Sequence, residues 1–189
     1  MRRALLLFSC AVTAVLATAC DPPREPPRET AEKKTAVEAA TWPTAPDQEA
    51  LGLLDADSRA AAARSPVPVL VPKRKELLAV GKVMSDEHWF AFSATHDGMT
   101  VSVHATRIEY KYDDIPPAKG KQVVRGVPGF VSRNEGIWNA AWREHGISYA
   151  VDLECHEPTD ARCATDAPIL ELTSDLAFVG GKASNGGAR

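Results

Sequence analysis

Apolar and polar residues alternate through 90–105 with one interruption, Asp97-Gly98. Asp-Gly between two alternating runs signals a two-residue hairpin, because the favoured turn needs positive φ at both central residues. With that turn, Phe90 faces Ala105, Phe92 faces Val103 and Ala94 faces Val101 on one side of the sheet. Ala91 with His104, Ser93 with Ser102 and Thr95 with Thr100 occupy the other side, so the register separates core from solvent. A second alternation over 138–155 turns at His145-Gly146 and pairs Trp142 with Tyr149, Ala140 with Val151 and Trp138 with Leu153. Arg143 with Ser148 and Asn139 with Asp152 make its polar side, as a one-sided antiparallel sheet requires.

The remaining pattern is less regular. Ile108, Tyr110 and Tyr112 continue a strand with shifted parity, which implies a bulge near Thr106 or Arg107. Residues 123–131 read as another strand, broken at Gly126 and at Pro128-Gly129. Pro66 and Pro68 hold the backbone extended through Val67, Val69 and Val71 and suit an edge strand. The apolar run 77–84 fits strand and helix equally. Asp47 caps a short helix with Leu51 and Leu54 on its apolar face, extended or restarted through Ala60 and Ala63. Ile169, Leu172, Leu176 and Val179 follow helical spacing and predict a helix over 166–178, with Thr165 or Asp166 as cap and Gly180-Gly181 as stop. The expected fold class is α+β: a curved antiparallel sheet built as a meander of hairpins, its apolar face covered by the C-terminal helix. The expected domain spans 46–182, followed by a disordered tail over 183–189.

The N-terminus carries a different pattern. Arg2 and Arg3 precede an uncharged stretch from Ala4 to Ala19 that ends in small residues, the layout of an export signal. Its 16 residues fall short of the roughly 20 that span a bilayer. After it, Pro22-Pro23-Arg24-Glu25 is nearly repeated as Pro26-Pro27-Arg28-Glu29, and a charged, alanine-rich stretch runs to Ala45. Such a segment cannot bury a core, and as an extended tether of about 25 residues it reaches about 75 Å.

Leu16-Ala17-Thr18-Ala19-Cys20 resembles the lipobox of bacterial lipoproteins. The resemblance covers residues 1–21 and implies cleavage before Cys20 and its acylation. Leu16 stands one place before the family's usual leucine, and Ala17-Thr18-Ala19 also fits the ordinary signal peptidase, so a secreted soluble product remains the alternative. Cysteine parity favours the lipid: Cys10 leaves with the signal, Cys155 and Cys163 pair in an oxidising compartment, and Cys20 is left over. In lipoproteins of enteric bacteria, an aspartate in the place of Asp21 implies retention at the inner membrane. The domain also looks like the extracytoplasmic sheet-and-helix domains of bacterial lipoproteins and membrane-anchored regulators, on the strength of the 138–155 hairpin and the 166–178 helix. That likeness transfers no binding residue.

Charge then narrows the partners. The chain of 189 residues carries 22 Lys plus Arg against 25 Asp plus Glu, and losing residues 1–19 takes two arginines with it. No basic excess is present to neutralise a run of phosphates, which argues against a nucleic-acid partner. Histidines 88, 96, 104, 145 and 156 diverge in the predicted register, and Cys155, His156 and Cys163 are too few for a zinc site. Asp152, Glu154, Glu157 and Asp160 match no calcium loop. No nucleophile elbow, zinc-binding helix motif or phosphate loop occurs, so we expect neither a catalytic residue nor a cofactor. Phe90, Phe92, Trp138, Trp142 and Tyr149 read as core, whereas Trp89 and Tyr110 are candidate exposed contacts. The expected function is that of a non-catalytic, lipid-anchored envelope protein that binds an envelope protein or senses envelope state. The alternative is a carrier of a small apolar ligand held between sheet and helix; a hydrolase ranks behind both.

Overall fold

The computed structural model describes residues 33–36, 41–111, 116 and 118–182. Cys20, most of the expected tether and the tail at 183–189 lie outside them. The fold is mixed α/β, organised around a seven-stranded sheet in which every neighbouring pair is antiparallel. Its strands are β3 (Lys82–Ser85), β4 (Trp89–His96), β5 (Met99–Thr106), β7 (Gln122–Val124), β8 (Val127–Asn134), β9 (Ile137–Glu144) and β10 (Ile147–Cys155). They lie in the order β3-β4-β5-β10-β9-β8-β7, so two meanders join where β5 meets β10.

Both expected hairpins form with the predicted partners. Phe92 pairs with Val103 and Ala94 with Val101 across β4 and β5, and Trp142 pairs with Tyr149 across β9 and β10. Two further hairpins follow the same rule, since Asp97, Arg125, Glu135 and His145 all take positive φ before a glycine that does likewise. Arg125-Gly126 is thus a turn between β7 and β8. Pro128-Gly129, expected as a break, lies inside β8, where Gly129 pairs with both Gln122 and Trp142. Proline is tolerated there because β7 is only three residues long and its ladder is brief.

The apolar sides of these hairpins supply the core. Phe90, Phe92, Val103 and Val151 are fully buried, and Tyr149 lies stacked on Trp142 with ring centroids 5.4 Å apart. Burying each such side chain stabilises the fold by roughly 1.5–3 kcal/mol. The Tyr149 hydroxyl donates to the Pro68 carbonyl at 3.0 Å, tying the sheet to a second, two-stranded ribbon. Burial pushes the Tyr149 phenol well above its ordinary value, the nearby Glu144 charge adds to that, and Arg125 opposes it.

That ribbon corrects the expected C-terminal helix. The helix α4 (Ala167–Ser174) ends early, and β11 (Leu176–Gly180) pairs antiparallel with β2 (Val69–Pro72). Leu176 and Val179 fit the helical period, but Leu176 pairs with Pro72 and Val179 is buried at the register shift between Phe178 and Gly180, so ladder bonds plus burial outweigh local propensity. Within α4, Ile169, Leu172 and Thr173 are buried.

Ahead of β2, α1 (Gln48–Leu53) begins at Asp47, whose Oδ1 accepts from the Ala50 N–H at 3.0 Å. The alanine run forms a separate helix, α2 (Ala56–Arg64), because Asp55 supplies its own cap by accepting from the Ser58 N–H at 2.7 Å. Asp55 also pairs with Lys82, and the hydrogen bonds from Lys82 and Ser58 hold its carboxyl far below the usual range. The run 77–84 resolves into both candidates, α3 (Lys75–Val80) followed by β3. Helix α2 lies along the free edge of β3: the Val83 N–H donates to Ser58 Oγ at 3.1 Å and Ser85 Oγ donates to the Ala61 carbonyl at 2.9 Å. An open strand edge is thereby closed to pairing.

Two features fall ahead of the expected domain start at 46. Residues of the tether stretch form β1 (Lys33–Ala36), antiparallel to β6 (Ile108–Lys111), with Ala36 beside Ile108. Strand β5 ends at Thr106 and β6 begins at Ile108, but β6 pairs with β1 instead of continuing the seven-stranded sheet through a bulge. Thr41 is held to the β9–β10 turn through its N–H to the His145 carbonyl at 3.1 Å. Trp42 packs so closely on Gly181 that a Cβ there would lie 2.4 Å from the ring.

Candidate binding surface

The side of the sheet that faces away from the core carries the candidate site. Strand pairing places Met84, Ala91, His104, Ala150, Ala141 and Phe130 in one continuous cross-strand row from β3 to β8. His104 is its only polar member. Met84 is 53% exposed at one end and Phe130 43% at the other, with partly exposed alanines between them. Val123, 72% exposed, pairs with Pro128 and widens the Phe130 end, while Trp89, 38% exposed, lies near Met84. Single exposed apolar residues are ordinary, but a row that spans six strands with a bulky group at each end makes this face the candidate for contact with a partner.

Polar rows flank it. On one side Lys82, Ser93, Ser102, Asp152, Asn139 and Ser132 follow each other across the same strands. Asn139 Nδ2 donates to Asp152 Oδ1 at 2.8 Å, and His104 Nδ1 lies 3.9 Å from Asp152 Oδ2. On the other side Trp89, Thr106, Ser148 and Arg143 are successive partners. Arg143 Nη1 donates to Glu109 Oε1 of β6 at 3.2 Å, which draws the β6 ribbon toward this end of the face. A cleft of about 600 Å³ opens there, with Pro128, Phe130 and Ala141 in its apolar wall and Glu109, Lys119 and Arg143 as its charged groups.

The alanine and phenylalanine positions were not singled out by sequence reasoning, which described this side as polar. The signal existed in the Ala141–Ala150 pair inside the second hairpin; what was missing was the pairing of β3 and β8, which adds Met84 and Phe130. No protein family matches this chain, and no curated protein or solved structure does. The surface therefore has to be read from its own chemistry.

The residues expected to matter fall in different places. Trp89 is exposed at the start of β4, paired with Thr106. Tyr110 lies on β6 opposite Lys34, and its side chain is outside the described residues. Cys155 and Cys163 are disulfide-bonded, with Cα atoms 6.1 Å apart. The closed loop is fastened to the β4–β5 turn by the His156 N–H to the Gly98 carbonyl at 2.8 Å and by Arg162, which donates to Asp97 Oδ2 at 2.7 Å and to Asp160. Hydrogen bonding to Arg162 holds the Asp160 carboxyl below its usual value.

The histidines are scattered. His156 Nε2 lies 3.0 Å from Thr100 Oγ1, His145 Nδ1 lies 3.2 Å from Thr41 Oγ1, and His104 is on the outer face. His88, expected to share the inward parity of Phe90, precedes the strand and is partly exposed, because the ladder begins only at Trp89. Trp138 is half-buried and packs against the rim of the core; its Nε1 donates to the Cys163 carbonyl at 2.9 Å, and the Arg133 guanidinium stands 5.4 Å above its ring. Among the described residues no group of three or more His, Cys, Asp or Glu side chains converges as a metal site, and no helix is long and apolar enough to cross a membrane.

Proposed function

We propose that this chain is a non-catalytic, lipid-anchored binding protein of a bacterial cell envelope, exported by residues 1–19 and acylated on Cys20. Its domain faces the periplasm or the exterior, and Asp21 favours the inner membrane. In this reading α4 packs against the inner, apolar face of the sheet, leaving the outer face as the side that meets a partner protein of the envelope. The observation that carries the proposal is the Cys155–Cys163 bond. It fits an oxidising compartment, and it leaves Cys20 as the odd cysteine once Cys10 is removed with the signal. The row from Met84 to Phe130 supports a binding role, since it places exposed apolar area on a rigid sheet rather than on a loop.

Mass spectrometry of the mature N-terminus tests this. A diacylglyceryl-modified Cys20 as the first residue is the expected result. A free cysteine at that position, or a chain that retains residues 1–19, overturns the lipid anchor and leaves a secreted or signal-anchored protein. A second reading, carriage of a small apolar ligand, is favoured by the cleft beside Phe130.

A further inference from the structure

The cleft at the Phe130 end of the outer face combines two kinds of lining that a purely protein-facing surface does not need together. Its volume of about 600 Å³ lies within the roughly 300–1,000 Å³ of small-molecule sites. Phe130, Pro128 and Ala141 give it an apolar wall, continuous with the row that crosses the sheet. Lys119 and Arg143 give it two cations against the single carboxylate of Glu109. Arg143 uses Nη1 for Glu109 at 3.2 Å, and a guanidinium has five N–H donors, so the same residue can hold a second carboxylate without leaving the first. Because Glu109 belongs to β6 and Arg143 to β9, their ion pair also fixes the distance between the two sides of the cleft.

From this juxtaposition we infer that the cleft binds a single-chain amphipathic anion, its hydrocarbon lying along Phe130 and Ala141 and its carboxylate held by Arg143 and Lys119. The net positive charge selects against a cationic amphiphile. The short apolar wall selects against the head group alone, which would gain no burial. The occupant is a free monomeric carboxylate rather than a bilayer, since the apolar contact lies inside a cleft and not on a protruding surface. The inference rests on reading the outer face as a binding surface, but its test does not depend on acylation of Cys20.

The test titrates the exported chain carrying Cys20→Ser, cleaved after Ala19 and handled without detergent, with dodecanoate below its micelle concentration in a calorimeter. One saturable site per chain is expected. Phe130→Asn and Arg143→Gln should each weaken binding at least about tenfold, a change of about 1.4 kcal/mol. Lys119→Gln should weaken it by a smaller factor, because Arg143 remains. Acetate and dodecyltrimethylammonium should show no saturable heat. Both Phe130 and Arg143 are exposed, so thermal melts should remain at the parent value; if either variant melts early, Lys119→Gln and the cationic amphiphile decide the question. Absence of a saturable site, equal affinity for dodecyltrimethylammonium, or unchanged affinity in the variants that fold overturns the inference. So does equal displacement of dodecanoate by phosphatidylglycerol vesicles, which would assign the site to a membrane.

Discussion

Arg125 donates from Nε to Glu144 Oε2 at 2.9 Å while its Nη1 donates to the Thr173 carbonyl at 2.7 Å and the Leu176 carbonyl at 3.2 Å. One side chain in a hairpin turn thus joins the sheet to the point where α4 gives way to β11. Glu144 accepts a second hydrogen bond from Trp142 Nε1 at 3.0 Å, so its charge is matched on two sides. Arg125 and Glu144 keep only 16% and 21% of their side-chain surface exposed. Arg125→Met should therefore destabilise the protein by about 2–3 kcal/mol, since it leaves a largely buried carboxylate, the Thr173 carbonyl of α4 and the Leu176 carbonyl of β11 without their donor. Urea unfolding of the variant against the parent at neutral pH measures this.

The same carboxylate gives the stability a dependence on acid. Desolvation raises the Glu144 pKa, but hydrogen bonds from Arg125 and Trp142, with the charges of Arg125 and His145, outweigh it and leave the group below its ordinary value of 4.5. A depressed folded value means that the unfolded chain takes up the proton first. The stabilisation is present in full above the ordinary value and is lost as pH falls through the folded one. The difference in unfolding free energy between the parent and Glu144→Gln should be largest at neutral pH and shrink steadily below about pH 4.5.

Tyr149 imposes the opposite limit. Its phenol is buried, donates to Pro68 and has a raised pKa, so the folded state keeps it neutral. Stability from this group is complete below the ordinary value of 10.0 and falls as pH rises beyond it. Phenolate absorbance during alkaline titration should contain a late component that coincides with loss of tertiary circular dichroism. Tyr149→Phe should abolish that component.

The disulfide closes a short loop, with its cysteines eight positions apart. Loop-closure entropy for that length gives a stabilisation of about 2–3 kcal/mol. Replacing both cysteines with serine should lower stability by that amount, and amide exchange should accelerate first at Asp97 and Gly98, which the loop holds through Arg162 and His156. Unchanged exchange at the β4–β5 turn would show that Arg162 fastens it without help from the covalent link.

Two glycines should respond in opposite directions to the same substitution. A Cβ on Gly81 would lie 2.2 Å from the Phe92 ring, which is fully buried and has no room to withdraw, so Gly81→Ala should cost about 1–3 kcal/mol. Gly52 sits inside α1 with nothing within 4 Å of the corresponding position. There alanine should stabilise by about 0.5–1 kcal/mol by restricting the unfolded chain. Thermal melts of the two single variants test both signs.

What the sequence conveyed was local pairing; what it withheld was the order in which pairs lie side by side. Phe92 with Val103 and Trp142 with Tyr149 followed from alternation and a turn residue, because hairpin register depends on neighbours in the chain. The turns at Arg125-Gly126 and Glu135-Gly136 carry the same glycine signal, but arginine and glutamate before it mask the pattern that Asp-Gly makes plain. Leu176 to Val179 was misread because a helical period can arise by chance over four residues, whereas the pairing with Val69 to Pro72 spans the length of the domain. The candidate surface was hidden for a related reason. Ala91, Ala141 and Ala150 are unremarkable within their own hairpins and become a continuous row only when β5 is set beside β10 and Met84 and Phe130 are added from the outer strands.

The attachment at Thr41 gives the fold a mechanical direction. Tension transmitted from the N-terminal side first loads the short β1–β6 ladder and, once that has opened, arrives at the tip of the β9–β10 hairpin, through one backbone bond to His145 and one hydroxyl contact to its ring. A load applied there opens its bonds in succession, as a zipper does. Sliding Val69–Pro72 along β11 instead strains the whole ladder at once. The entrance therefore gives way at a lower force than the body behind it, and a pull from outside slackens a few residues before it deforms the outer face of the sheet.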